Sequence, residues 1–131
     1  MLLKLKDSQL LKTQAYINGE WVSAQSGKTF AVTNPATGLH IEDVADLGAE
    51  ETRQAIEAAD KAMASWKAKT AKERAVILKK WFDLMVEAKE DLGLLMTVEQ
   101  GKPLKEAMGE VMYGASFIEW FAEEGRRAYG D

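Results

Sequence analysis

The chain has 131 residues, 47% of them apolar and 29% charged, with a formal net charge of −4; this is globular rather than disordered composition, with enough apolar mass for a core. An acidic balance gives no electrostatic reason to bind a nucleic-acid backbone or an anionic membrane, since both need clustered Lys and Arg. With no cysteine, the chain builds no disulfide, no thiolate metal site and no cysteine nucleophile.

The amino-terminal run MLLKLKDSQLLKTQA mixes Leu with Lys. It never reaches the unbroken apolar core of a signal peptide or the roughly 20 apolar residues of a membrane span, so a cytoplasmic protein is expected. Asp7 or Ser8 can cap a short helix within residues 7–14 that docks Leu10 and Leu11. From Ala15 strand-like residues alternate with turns. Asn18-Gly19 suits a type I′ hairpin turn, whose two central positions need positive φ, and Ser26-Gly27 marks another reversal. Strands are expected at 15–17, 20–23 and 29–33. Pro35 cannot donate to a ladder, and with Thr37-Gly38 it turns the chain into a further strand near 39–46.

From residue 49 the apolar period changes from two to 3.6. Ile56, Ala59, Met63 and Trp66 share a stripe, with Glu50 and Glu51 at the end where the helix dipole favours anions. Thr70 and Glu73 form a capping box that opens a helix carrying Ile77, Leu78, Trp81, Phe82 and Met85 inward, with Lys79 and Lys80 outward. A shorter helix buries Leu92, Leu95 and Met96 and ends at Gly101 as a left-handed cap. Pro103 fits the first turn of a last helix that is expected to run to the end of the chain. No repeat or linker divides the sequence, so 1–131 is taken as one segment: a helix and strands over 1–48, then helices over 49–131.

Most candidate motifs have a plainer account. Gly101-Lys102 lacks the earlier glycine and the following Ser or Thr of a phosphate-binding loop; Met96 and Pro103 stand there. No Gly-x-Gly-x-x-Gly fingerprint occurs. His40, the single histidine, neighbours Glu42 and Asp43 but lacks the ligand spacing of a metal site, so no metal is expected. The carboxylate pairs Glu50/Glu51, Glu90/Asp91 and Glu123/Glu124 lie at helix ends or on polar faces, where solvation accounts for them. Trp66 and Trp81 fall on apolar stripes, which points to core packing rather than ligand stacking.

The last helix is different. Leu104, Met108, Val111, Ala115, Ile118 and Ala122 form one apolar row, and Tyr113, Phe117, Trp120 and Phe121 form a second, aromatic flank. A helix that is apolar on two sides sits between two partners. Gly109 and Gly114 would let the second partner approach closely. From the residues alone, functional wall and plain packing both stay open.

The ordered strings YINGEWV (16–22), VTNPATG (32–38), TAKERAVILKKWFDLM (70–85), MTVEQGKPLKEAMGEV (96–111) and FIEWFAEEGRRAYGD (117–131) resemble the amino-terminal portion of the aldehyde dehydrogenase superfamily. Within it, EQGKPLKEA and FIEWFAEE resemble the NAD(P)-dependent succinate-semialdehyde dehydrogenases most. The resemblance implies an α+β portion, β-hairpin and strands followed by four helices, of a larger α/β fold. That fold has a Rossmann-like cofactor domain, which residues 49–131 would border, a catalytic domain and an oligomerisation arm. It implies oxidation of succinate semialdehyde to succinate with NAD or NADP, in a homo-oligomer. The family chemistry is thiolate attack on the aldehyde, hydride transfer to the nicotinamide, and hydrolysis of the thioester. The family's cysteine, general-base glutamate, oxyanion asparagine and cofactor loops all correspond to positions beyond residue 131. No catalytic or cofactor-binding residue is therefore assigned in this chain, which is expected to bind no cofactor and to be inactive alone. What the resemblance does assign is a border of the substrate-entry tunnel, with Tyr113 and Phe117 one turn apart and Gly109 beside them. Two alternatives differ in class or substrate: a stand-alone helical self-association module using the aromatic flank, and an aldehyde dehydrogenase with another substrate.

Overall fold

Two short hairpins precede four helices in the computed structural model, which describes residues 4–128. A one-turn 3-10 helix at Ser8–Leu10 stands where a longer helix was expected, its start held by the Asp7 carboxylate accepting from the Gln9 N–H at 2.9 Å. Strands β1 (Ala15–Ile17) and β2 (Glu20–Val22) pair antiparallel, with Tyr16 opposite Trp21. Asn18 and Gly19 between them have φ of 53° and 87°, the two left-handed positions a type I′ turn requires. Strands β3 (Thr29–Thr33) and β4 (His40–Ala45) form a second, separate antiparallel pair with an irregularity at Val32/Thr33.

Helix α1 (Ala49–Ala68) follows, then α2 (Ala71–Glu87), α3 (Lys89–Gln100) and α4 (Leu104–Glu124). The capping box forms as expected. The Thr70 N–H donates to the Glu73 carboxylate at 2.7 Å, and the Glu73 N–H donates to the Thr70 hydroxyl at 3.2 Å. Gly101 closes α3 at φ 82°, its N–H donating to the Thr97 carbonyl at 2.9 Å. Pro103 sits one step earlier than expected, as the residue before α4 rather than in its first turn. Helix α4 stops at Glu124, short of the expected end; the three residues after Ala128 lie outside the described residues.

Helix α4 is the hub, packing on α2 along one side and on α3 along another. Its buried row is Ala107, Val111, Ala115 and Ala122, joined by Val98 of α3. Small residues dominate this row, which lets the helices approach closely. Among the described residues no large side chain is fully buried, which corrects the expectation of a substantial core. The apolar residues are numerous, but they are spread over more faces than this chain covers. Ile77 and Trp81 show the effect. Expected inward, both are exposed, because α2 turns Leu78, Phe82 and Met85 toward its neighbours and leaves the adjoining stripe without a partner among the described residues. Ile56 and Met63 on α1 are likewise exposed, and Leu104 stands out from the α4 row. Among the described residues no helix is long and apolar enough to cross a membrane.

Candidate substrate-facing surface on the last helix

The aromatic flank of α4 begins with Tyr113 and Phe117, one helical turn apart. Their rings meet edge to face, centroids 4.9 Å apart and planes at 81°, the arrangement in which a positive ring edge meets a negative face. Tyr113 is 65% exposed and Phe117 47%, with Trp120 and Phe121 continuing the flank at 61% and 60%. Phe117, Trp120 and Phe121 line an open hollow of about 470 Å³ together with Ser116, Glu119 and Glu123. The Ser116 hydroxyl is turned away from bulk chemistry, donating to the Tyr113 carbonyl at 2.7 Å. This surface offers apolar contact and shape, with the Glu119 and Glu123 carboxylates on its rim.

A Cβ added at Gly109 would meet no atom within 4 Å, and one at Gly114 only the Met85 methyl at 4.0 Å. Among the described residues neither glycine serves a close approach. Gly93 does, and sequence reasoning missed it: a Cβ there would lie 2.7 Å from Met108 Cγ and 3.2 Å from the Met108 nitrogen. The crossing of α3 and α4 therefore depends on a residue that sits, locally, as an unremarked glycine inside a helix.

The remaining candidates fall where they have structural employment. Gly101 is spent on the cap of α3, and Lys102 ion-pairs with Glu110. Neither is free to cradle a phosphate, and no cofactor chemistry is assigned to either. His40 Nε2 lies 3.1 Å from Asp43 Oδ1 on an exposed strand surface. Among the described residues no three His, Asp or Glu side chains gather as metal ligands. Trp21 packs on Tyr16 at 5.2 Å with the Lys12 ammonium 4.9 Å over its ring. Trp81 is 55% exposed rather than in a core.

Two carboxylates expected to be solvated are buried. Glu51 is 6% exposed and Asp91 7%. Glu51 accepts from the Gln25 N–H at 2.7 Å and the Gly48 N–H at 3.0 Å, tying the loop after β2 to the start of α1. Asp91 accepts from the Asp7 N–H at 2.8 Å and the Lys6 N–H at 3.0 Å. These backbone donors hold both carboxyls below their ordinary range, Gln25 chiefly for Glu51 and Asp7 chiefly for Asp91. Because the folded values are depressed, the ties are present at neutral pH and are lost as pH falls through those values. The only local signal was position in a first helical turn, which is shared by many solvated acids.

Comparison with known proteins identifies the setting. The chain is 62% identical over 129 residues to a glutarate-semialdehyde dehydrogenase of Pseudomonas putida, covering 98% of this chain and 27% of that protein. It is 60% identical over 129 residues to the succinate-semialdehyde dehydrogenase [NADP(+)] of Escherichia coli, again 98% of this chain and 27% of the relative. A crystal structure of an E. coli NADP-dependent enzyme superposes with a TM-score of 0.96 at 60% identity, over 98% of this chain and 27% of that one. The two hairpins and four helices thus reproduce, and span, about a quarter of the length of these proteins. Residues 21–131 match the aldehyde dehydrogenase family, and the chain belongs to that family.

Proposed function

We propose that this chain is the amino-terminal portion of an NAD(P)-dependent dehydrogenase that oxidises succinate semialdehyde to succinate and works as a homo-oligomer. Gly109, Tyr113 and Phe117 border the path along which the aldehyde reaches a reaction centre built by residues outside these 131. The observation that carries the proposal is the 60% identity to the E. coli succinate-semialdehyde enzyme, maintained across 129 residues. The absence of cysteine agrees with a division of labour in which this part shapes and another part reacts, since the family chemistry begins at a thiolate. Glutarate semialdehyde is a second reading, favoured by the 62% identity to the P. putida enzyme. Both aldehydes carry a carboxylate at the far end and differ by one methylene.

Steady-state kinetics of the full-length enzyme with succinate semialdehyde, glutarate semialdehyde and butyraldehyde separates these. A site that pairs the distal carboxylate prefers either semialdehyde over butyraldehyde by several kcal/mol, and one methylene in a fitted pocket is worth about 10–200-fold in kcat/KM. Succinate semialdehyde is expected to rank first. Equal kcat/KM for butyraldehyde overturns the substrate class, and a glutarate preference selects the second reading. In the same assay, the 131-residue polypeptide alone is expected to give no aldehyde-dependent reduction of NAD or NADP above a protein-free blank.

A further inference from the structure

Residues 4–14 cross the corner between α2 and α3 without a fully buried apolar side chain. No residue of this segment is fully buried; Leu5, Leu10, Leu11 and Thr13 are half-buried and the rest exposed. Beneath them lies an open crevice of about 560 Å³, lined by Leu10, Leu84, Glu87 and Ala88 together with Lys6 and Asp91. Besides these half-buried leucines, the segment is held by hydrogen bonds that sit at its two ends. At the far end the two oxygens of one carboxylate, Asp91, take the consecutive N–H groups of Lys6 and Asp7. The Lys6 ammonium ion-pairs with Glu90 outside them, in the open. At the near end the Thr13 carbonyl accepts from the Ala45 N–H at 2.8 Å, and the Gln14 amide donates to the Ser23 hydroxyl at 3.0 Å. Between these ends, among the described residues, only local bonds occur, from the Gln9, Leu10 and Leu11 N–H groups to Asp7 and Ser8.

We infer that residues 4–12 are a strap, buckled to α3 by the Asp91 carboxylate and hinged at Thr13, that opens as a unit and uncovers the α2–α3 corner while the helices stay folded. The physical ground is the asymmetry between what opening breaks and what it exposes. Opening breaks two hydrogen bonds to a charged acceptor, which are among the stronger single contacts in a protein. It exposes the half-buried sides of Leu5, Leu10 and Leu11 but no fully buried side chain of the strap, so the hydrophobic term resisting it is smaller than that of opening the helices. The exposed Lys6–Glu90 pair adds little, because solvent screens it and two flexible side chains must be held still. The freed N–H groups of Lys6 and Asp7 find water at once, since both residues already face solvent. Segments bound in this way populate the low-stability end of native-state opening.

Native-state hydrogen exchange of the intact protein, resolved at the Lys6, Asp7, Gln9, Leu10 and Leu11 amides, tests the strap. In the unsubstituted protein these amides are expected to exchange together, through an opening insensitive to low urea, while α3 and α4 amides slow and follow the urea dependence of larger unfolding. Asp91→Asn removes the charge and replaces one of the two accepting oxygens by an NH2 donor, leaving one of the two N–H groups without an acceptor. It is expected to speed exchange at the five amides about tenfold or more. Glu90→Gln, which removes only the surface pair, changes it less than about twofold. If the five amides share the urea dependence of α3 and α4 in the unsubstituted protein, the segment opens only with the helices and the inference fails; this arm needs no variant to fold. It fails equally if Glu90→Gln loosens the segment as much as Asp91→Asn, because the surface pair would then be the buckle.

Discussion

Gly93→Ala is expected to destabilise the protein by about 1–3 kcal/mol, the cost of forcing one extra methyl into a packed contact. The added Cβ falls 2.7 Å from Met108 Cγ and 3.2 Å from the Met108 nitrogen. The side chain can swing aside, but the nitrogen belongs to the α4 backbone and cannot. Gly93→Val, with two further methyls, is expected to lose more than the alanine variant. The measurement is the denaturant or thermal midpoint, with Met108→Ala combined with Gly93→Ala as the informative partner. That pair recovers only the part of the loss owed to the Met108 side chain, leaving the backbone part. A glycine elsewhere supplies the opposite sign. Gly109→Ala meets no atom within 4 Å in a helix interior, where alanine is favoured over glycine by about 0.5–1 kcal/mol. If Gly93→Ala and Gly109→Ala shift the midpoint alike, the α3–α4 crossing does not depend on the missing Cβ.

These two glycines also mark where sequence legibility ends. Both are helical glycines without turn chemistry, and nothing within a few residues of either distinguishes them; the difference is made by Met108 arriving from another helix. Three local devices were legible because their cause is local, while the helix expected within 7–14 and the place of Pro103 were not. Asn18-Gly19 needs only its own φ values, the box from Thr70 to Glu73 spans one turn, and Gly101 ends α3 through its own conformation. Burial was legible only in part. The 3.6 period told which residues of α2 share a face, yet it could not say that Leu78, Phe82 and Met85 would be covered while Ile77 and Trp81 would stand open. The ties at Asp91 were beyond reach for the same reason, since their donors are 84 and 85 residues away. The aromatic flank of α4 was legible as a pattern, while its occupant was not, because an apolar face reports that it wants a partner and not which one.

Tyr113→Ala and Phe117→Ala in the full-length enzyme are each expected to lower kcat/KM for succinate semialdehyde by about tenfold, since losing a ring contact worth about 1.4 kcal/mol in the transition state is a factor of ten. The proposed role is to border the approach, so the loss belongs in KM and in kcat/KM, with kcat changed much less. The two rings hold each other edge to face at 4.9 Å, so removing one frees the other to collapse into the space. The double variant is therefore expected to cost less than the product of the single losses. Gly109→Ala sharpens the test because its effects on stability and on function point in opposite directions. A midpoint that rises, with a KM that also rises, places the added methyl in the path of the aldehyde. A midpoint that rises with KM unchanged takes Gly109 out of that path. Single-ring variants that leave KM and kcat/KM intact would assign the flank to packing against the rest of the enzyme, the alternative that the exposure of Tyr113 and Phe117 in this chain leaves standing.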